Sequence, residues 1–278
     1  MNRFLLVLST GALLLLPTIG RSAEPVRYSG SSTIGQSILQ LGGARRAFES
    51  RTGLKFASLE VPGSGKGVEA LVAGKANVAG VSRPLKAEEK AKGVVGTVIG
   101  FDAVAVFVHK DNPVQKLSRE QLKGIFTGRI KNWKEVGGLD APIAVNTEIQ
   151  GAKRATMEMF NEIVMDKAPY GAGFKEIDLP KDQIIEVASN PNAIGTPSLG
   201  LLSTVAPVVR ARVKTVAVDG IAPSSSSVRS GTYPISRPLN LATIGAPGGD
   251  VKAFVDFMLS AEGQALVEKD FVAAQARP

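Results

Sequence analysis

The run VVGTVIGFDAVAVFVHK, Val94–Lys110, constrains this chain more than any other stretch. Apolar, mostly β-branched residues follow one another with little alternation. A strand with one wet face alternates; a run like this reads as central strands covered on both faces. Helices must supply the cover, and the flanking segments contain them. Ile34, Ile38, Leu41 and Phe48 fall on one helical face, predicting a helix from about Gly35 to Ser50 that stops near Gly53. LKFASLEV then reads as a strand, PGSGKG as a loop, and Val68, Leu71 and Val72 as the apolar side of a short helix. ANVAGVS follows as a buried strand and RPLKAEEKAKG as a polar helical turn.

The second half repeats the rhythm. Ser118 and Gln121 have the spacing of a capping box, opening a helix that buries Leu122, Ile125 and Phe126. GRIKNWKEVGG is a surface loop with helical pieces. APIAVNT is a strand, and a helix from Thr156 to Asp166 turns Met159, Phe160 and Ile163 inward. KDQIIEVASN and NAIGTPSLG add a helix–strand step, and DGIAPSSSSVRSGTYP is a turn-rich surface excursion. Asp250 is expected to cap a last helix carrying Val251, Phe254, Val255, Met258 and Leu259 on one side. Repeated strand–helix units predict an α/β chain with mainly parallel sheets.

The N-terminus reads as a secretory signal peptide over residues 1–23: one early Arg3, an apolar stretch from Phe4 to Leu16, then small residues. Cleavage after Ala23 is one possibility, and cleavage after Gly20 fits the small-x-small rule better. The apolar run is too short for a membrane span. There is no cysteine, which removes disulfides, thiol catalysis, Cys-ligated metals and a lipid anchor. The expected product is a soluble exported protein of roughly 255 residues, enough for two lobes with separate cores. The formal charge is +8 and aromatics make up 5%. Nucleic-acid binding normally shows a clustered basic face with aromatics among it, and here charges of both signs are interspersed. A small anionic ligand fits this balance.

Two loops carry an excess of small hydroxyls. YSGSSTIG, Tyr28–Gly35, sets Ser29, Ser31, Ser32 and Thr33 around one glycine just before a helix. One hydroxyl suffices as an N-cap. Several, with a glycine that admits close backbone approach, suit a ligand with many acceptor oxygens. PGSGKG is the second such loop. It lacks the GK[ST] ending of a phosphate-binding P-loop. A capped helix after a turn is the plain alternative for both.

Four stretches together carry a resemblance. YSGSSTIG, VPGSGKGVEALVAGKANVAGVSRPL, GFDAVAVFVHKDNPVQKLSREQLKGIFTGRIKNWKEVGG and NAIGTPSLG resemble the PstS-type phosphate-binding proteins of ABC importers. GTYPISRPLNLAT resembles the strand by which that family returns to its first lobe. The resemblance implies a two-lobed periplasmic binding protein fold (type II) with the ligand cleft between the lobes. It places lobe 1 at 24–103 and 236–278 and lobe 2 at 104–235. It implies Ser32 and Thr33 as anion ligands from the first loop, Ser64 and Gly65 from the second, and Ser82 with Arg83 from a strand end. It further implies a periplasmic monomer that binds inorganic phosphate or a related oxyanion and hands it to an ABC permease in the inner membrane. No metal, cofactor, nucleic acid or catalysis is expected.

The third anion loop departs from the family pattern of an arginine followed by a Ser-Gly-Thr turn. Here the segment is VNTEIQGAKRATMEMF. Aligned on Phe160, the turn falls on Arg154, Ala155 and Thr156, and the family's arginine on Gln150. This register keeps Met159 and Phe160 on the apolar face, makes Thr156 a donor and lets Arg154 supply the displaced charge. Aligned on Gly151, the turn falls on Gln150, Gly151 and Ala152, with no hydroxyl kept; Lys153 and Arg154 are then merely solvated. A second departure sets Arg83 where long-chain members carry an aspartate that accepts the proton of hydrogen phosphate. Another oxyanion is therefore an open alternative, as is a sensor or extracellular role without a transporter. An enzyme such as a phosphatase is disfavoured, since no His, Asp and Glu gather near the hydroxyl loops. Among the remaining residues, His109 reads as a boundary residue, Trp133 as packing and the serines at 224–227 as a flexible loop.

Overall fold

The computed structural model describes residues 24–152 and 154–274. The leader read over 1–23 lies outside the described residues, as does Lys153. In chain order the strands are β1 (Val26–Gly30), β2 (Phe56–Glu60), β3 (Val78–Val81) and β4 (Val94–Ala103). Then come β5 (Val106–His109), β6 (Lys116–Leu117), β7 (Ala144–Glu148), β8 (Lys175–Ile177), β9 (Ala193–Gly195) and β10 (Val213–Val218). Last are β11 (Ser236–Ile244) and β12 (Val272–Ala273).

These strands build two six-stranded sheets, ordered β12-β4-β11-β3-β1-β2 and β6-β10-β5-β9-β7-β8. The chain leaves the first sheet after β4 and returns to it in β11, so two crossings join two lobes. Both sheets are mixed rather than mainly parallel. In the first, β1 runs parallel to β2 and β3, while the returning β11 and the terminal β12 pair antiparallel. In the second, β5 pairs antiparallel with β10 and β9. The antiparallel pairs arise where the chain crosses and returns, which strand–helix counting does not see.

The apolar run behaves in two ways. All of β5 is buried, whereas β4 exposes Val95 and is fully covered only toward its C-terminal end. Phe48, Phe254 and Phe257 centre the first lobe's core, with Phe48 and Phe254 edge to face at 5.4 Å between centroids. Phe126, Phe160 and Trp133 anchor the second. Trp133 packs as expected, and its indole N–H donates to the Asn192 carbonyl at 3.0 Å. The Ser118–Gln121 box forms, with Gln121 N–H to Ser118 Oγ at 3.1 Å.

Three helix expectations change. The helix expected over 35–50 is two helices, Thr33–Leu41 and Ala44–Thr52, broken at Gly43 with φ +82. The first is wound as a π-helix, ended by Gly42 N–H to the Ser37 carbonyl at 2.7 Å. That winding rotates Leu41 out of the core face, leaving it 64% exposed. The last helix, Gly249–Leu259, has Gly248 at its N-cap, so Asp250 lies inside the first turn. The 224–227 serines start a short helix, Ser225–Arg229, closed by a Ser224–Ser227 capping box.

Candidate anion-binding site

Three nine-residue helices start where the C-terminal ends of β1, β3 and β7 approach the space between the sheets. They are Thr33–Leu41, Ser64–Val72 and Ala155–Ile163, and none has a side-chain cap. In the first, Ile34 N–H already reaches Ser31 Oγ at 3.4 Å and Gly35 N–H the Ser31 carbonyl at 2.8 Å; the partial positive charge of each start still favours an anion. Close backbone approach makes the first two starts neighbours. A Cβ on Gly67 would sit 2.4 Å from the Gly30 Cα, and Gly63 N–H donates to the Gly30 carbonyl at 3.0 Å.

The hydroxyls form two linked groups. Ser31 Oγ donates to Ser82 Oγ at 2.9 Å, and Ser64 Oγ accepts from Ser82 N–H at 3.2 Å. Ser31, Ser64 and Ser82 are all buried. Beside them, Arg237 on β11 donates from Nη2 to Thr33 Oγ1 at 3.3 Å and from Nη1 to Thr156 Oγ1 at 3.0 Å. Thr33 belongs to the first lobe and Thr156 to the second, so one guanidinium bridges the cleft. Asp102 orients it, with Oδ2 accepting from Nε at 3.0 Å and from Nη2 at 2.8 Å. Ser198 Oγ donates to the same oxygen at 2.7 Å.

The residues expected from sequence are distributed unequally. Thr33, Ser64, Ser82 and Thr156 come together; Ser32 is half-buried at the N-cap of the first helix. Gly65 lies instead on the wall of a neighbouring groove of about 420 Å³. Arg83 has its donors engaged elsewhere. Its fork is taken by Glu89, with Nη1 to Oε2 at 2.9 Å and Nη2 to Oε1 at 2.7 Å, and its Nε donates to Glu158 at 2.6 Å. A guanidinium so committed to carboxylates is not turned to the hydroxyls. Arg154 is divided between two carboxylates, with its Nε 3.8 Å from Glu148 Oε2. It stands at the N-cap of the third helix with Thr156 in the first turn, as the Phe160 alignment requires, but its Nη2 donates to Asp178 at 2.9 Å.

Sequence reasoning missed Arg237, Asp102 and Glu148. A signal for the first two existed: an arginine in SRPLNLAT and an aspartate in GFDAVAV each interrupt an apolar strand. Buried charges of that kind require a partner. Glu148, at the end of β7, is 2% exposed and neither carboxylate oxygen has a hydrogen-bond partner. Burial pushes its pKa up, with Arg154, Arg237 and the Thr156 hydroxyl pulling against the shift.

Comparison with known proteins places this geometry. The model of the PBP superfamily domain matches residues 17–262. The chain is 32% identical over 253 residues to the phosphate-binding protein PstS of Bacillus subtilis, covering 88% of this chain and 80% of that one. It is 30% identical to the PstS of Staphylococcus saprophyticus, covering 91% and 82%. Among solved structures it resembles a Clostridium perfringens chain assigned as a phosphate ABC transporter substrate-binding protein, solved with bound phosphate. The TM-score is 0.79 at 32% identity, over 91% of this chain and all of that one. An ABC-type phosphate transport receptor from Vibrio cholerae follows at TM-score 0.75 and 26% identity, over 90% of this chain and all of the other.

Proposed function

We infer the function from one premise: this chain belongs to the PBP superfamily, among its PstS-type phosphate-binding proteins. It binds inorganic phosphate between its two lobes and delivers it to an ABC importer. The observation that carries the reading to the atoms is Arg237, whose Nη1 and Nη2 meet a hydroxyl from each lobe while Asp102 holds its other edge.

The proposed ligand shell is Ser31, Ser32, Thr33, Ser64, Ser82, Thr156 and Arg237, with Gly65 contributing at most its backbone N–H. Without an anion, the Thr33 and Thr156 hydroxyls accept from Arg237. An entering phosphate takes over those two guanidinium donors, and each hydroxyl turns to donate its own proton to a phosphate oxygen. The Ser31–Ser64–Ser82 group reorients likewise, and the uncapped helix starts add N–H donors aimed at the same oxygens. Charge-assisted bonds to a dry anion are the strong kind, and bonds reaching it from both lobes hold the cleft closed.

This is the chemistry of capture and release, and we read the protein as a solute-binding protein rather than an enzyme, as its relatives are named. Among the described residues no helix is long and apolar enough to cross a membrane. The leader read over 1–23 supports a periplasmic location, where a monomer would meet an ABC permease of the inner membrane. Calorimetry on refolded, phosphate-free protein tests the reading. One phosphate per chain without added metal is expected; no heat and no melting shift with phosphate would overturn it.

A further inference from the structure

Arg83 directly follows Ser82 in the first lobe, and Glu158 lies two residues after Thr156 in the second. Each is therefore tied to one of the proposed anion ligands. Arg83 is fixed within its own lobe by the two-pronged bond to Glu89 and by Nη1 to the Pro84 carbonyl at 3.1 Å. Glu89 is itself held by Lys86 N–H at 2.8 Å. One edge of the guanidinium remains, and its Nε reaches across to Glu158 Oε2 at 2.6 Å. Lys86 Nζ, from the same side, donates to Glu158 Oε1 at 3.2 Å. Both carboxylate oxygens of a second-lobe residue are thus held by first-lobe cations. Arg83 is 4% exposed at its side chain and Glu158 24%, so this pair is screened far less than a surface ion pair.

We propose that Arg83 and Glu158 are the latch of the cleft, positioning residues that set how long the closed state lasts without touching the ligand. Opening returns Glu158 to water while Arg83 stays paired with Glu89. The cation side of the latch is therefore preformed, and only the Glu158 contacts are made and broken. A contact present only in the closed state shifts the open–closed balance by its full free energy. The gain appears in the dissociation rate. Association starts from the open state, so a latch that also holds the phosphate-free cleft closed cannot speed it. The latch deepens the phosphate reading and rests on it for its kinetic test, but closure can be read without ligand.

Two measurements on Glu158→Gln test it. Stopped-flow phosphate kinetics should show dissociation about tenfold faster, the scale for a lost charge-assisted bond, with association no slower than in the wild type. Because the chain has no cysteine, Lys75→Cys and Glu176→Cys admit one spin label on each lobe. The inter-label distance in phosphate-free protein should lengthen when Glu158→Gln is added. An unmoved distance together with an unmoved dissociation rate overturns the latch. So does tighter phosphate binding by Glu158→Gln, the result expected if Arg83 were a direct ligand freed from a competing carboxylate. If the wild type binds no phosphate, the proposed function fails, while the distance measurement still decides the latch.

Discussion

Arg237 and Asp102 stand directly opposite each other on the antiparallel strands β11 and β4, and a single carboxylate oxygen holds two of the guanidinium's nitrogens. Both side chains are buried in the first lobe's sheet. The pairing leaves the opposite edge of the guanidinium for Thr33 and Thr156. Removing the cation strands Asp102 as an uncompensated buried charge, which costs about 3–5 kcal/mol of stability. Arg237→Met is therefore expected to melt far below wild type and, where still folded, to bind phosphate at least about a hundredfold more weakly. Arg237→Lys keeps the charge but not the fork, and should regain stability more than affinity. Melting curves with and without phosphate separate the two effects.

The two threonines divide the load between lobes. Thr33→Val and Thr156→Val each remove one donor to the anion at nearly constant volume. Each should weaken phosphate binding by about 1.5–3 kcal/mol in calorimetry, the range for hydrogen bonds to charged groups. Arg154→Ala, whose guanidinium is engaged with Asp178, should change affinity less than about threefold.

Glu148 gives a prediction with a definite sign. Its carboxyl titrates above the ordinary range because it is buried, so the folded state favours the neutral form. Stability from this group is complete below the ordinary carboxylate pKa and is lost as pH rises through the raised value. Glu148→Gln should accordingly raise the melting temperature at neutral pH, and the gain should vanish in acid. An equal melting shift at pH 4 and pH 8 would count against the assignment.

Gly67 tests the close approach of the first two helix starts. Its Cβ position lies 2.4 Å from the Gly30 Cα and 2.7 Å from the Ser29 carbonyl oxygen, so backbone must move to admit a methyl group. Gly67→Ala should cost about 1–3 kcal/mol in urea unfolding and loosen phosphate binding as Ser64 shifts from Ser82.

Much of this fold was legible because burial writes itself into apolar spacing. The β5 segment and the Ser118 box follow from local pattern alone. Leu41 was misread because a π-helix shifts the face of every later residue, and periodicity at 3.6 cannot register that. The site was legible where hydroxyls cluster before a helix, as at Ser31–Thr33 and Ser64. It was not legible where function depends on which neighbour a cation chooses. Arg83, Arg154 and Arg237 look alike in sequence. Glu89, Asp178 and Asp102 decide their roles, and only the last pairing leaves donors facing the hydroxyls.

The most direct test of the account is a crystal structure of the protein grown with phosphate. The anion is expected between the lobes, within hydrogen-bond distance of Arg237, Thr33 and Thr156, with Arg83 still bonded to Glu89 and Glu158. Phosphate seated instead on the Arg83 or Arg154 guanidinium, with Arg237 turned away from it, would contradict the account.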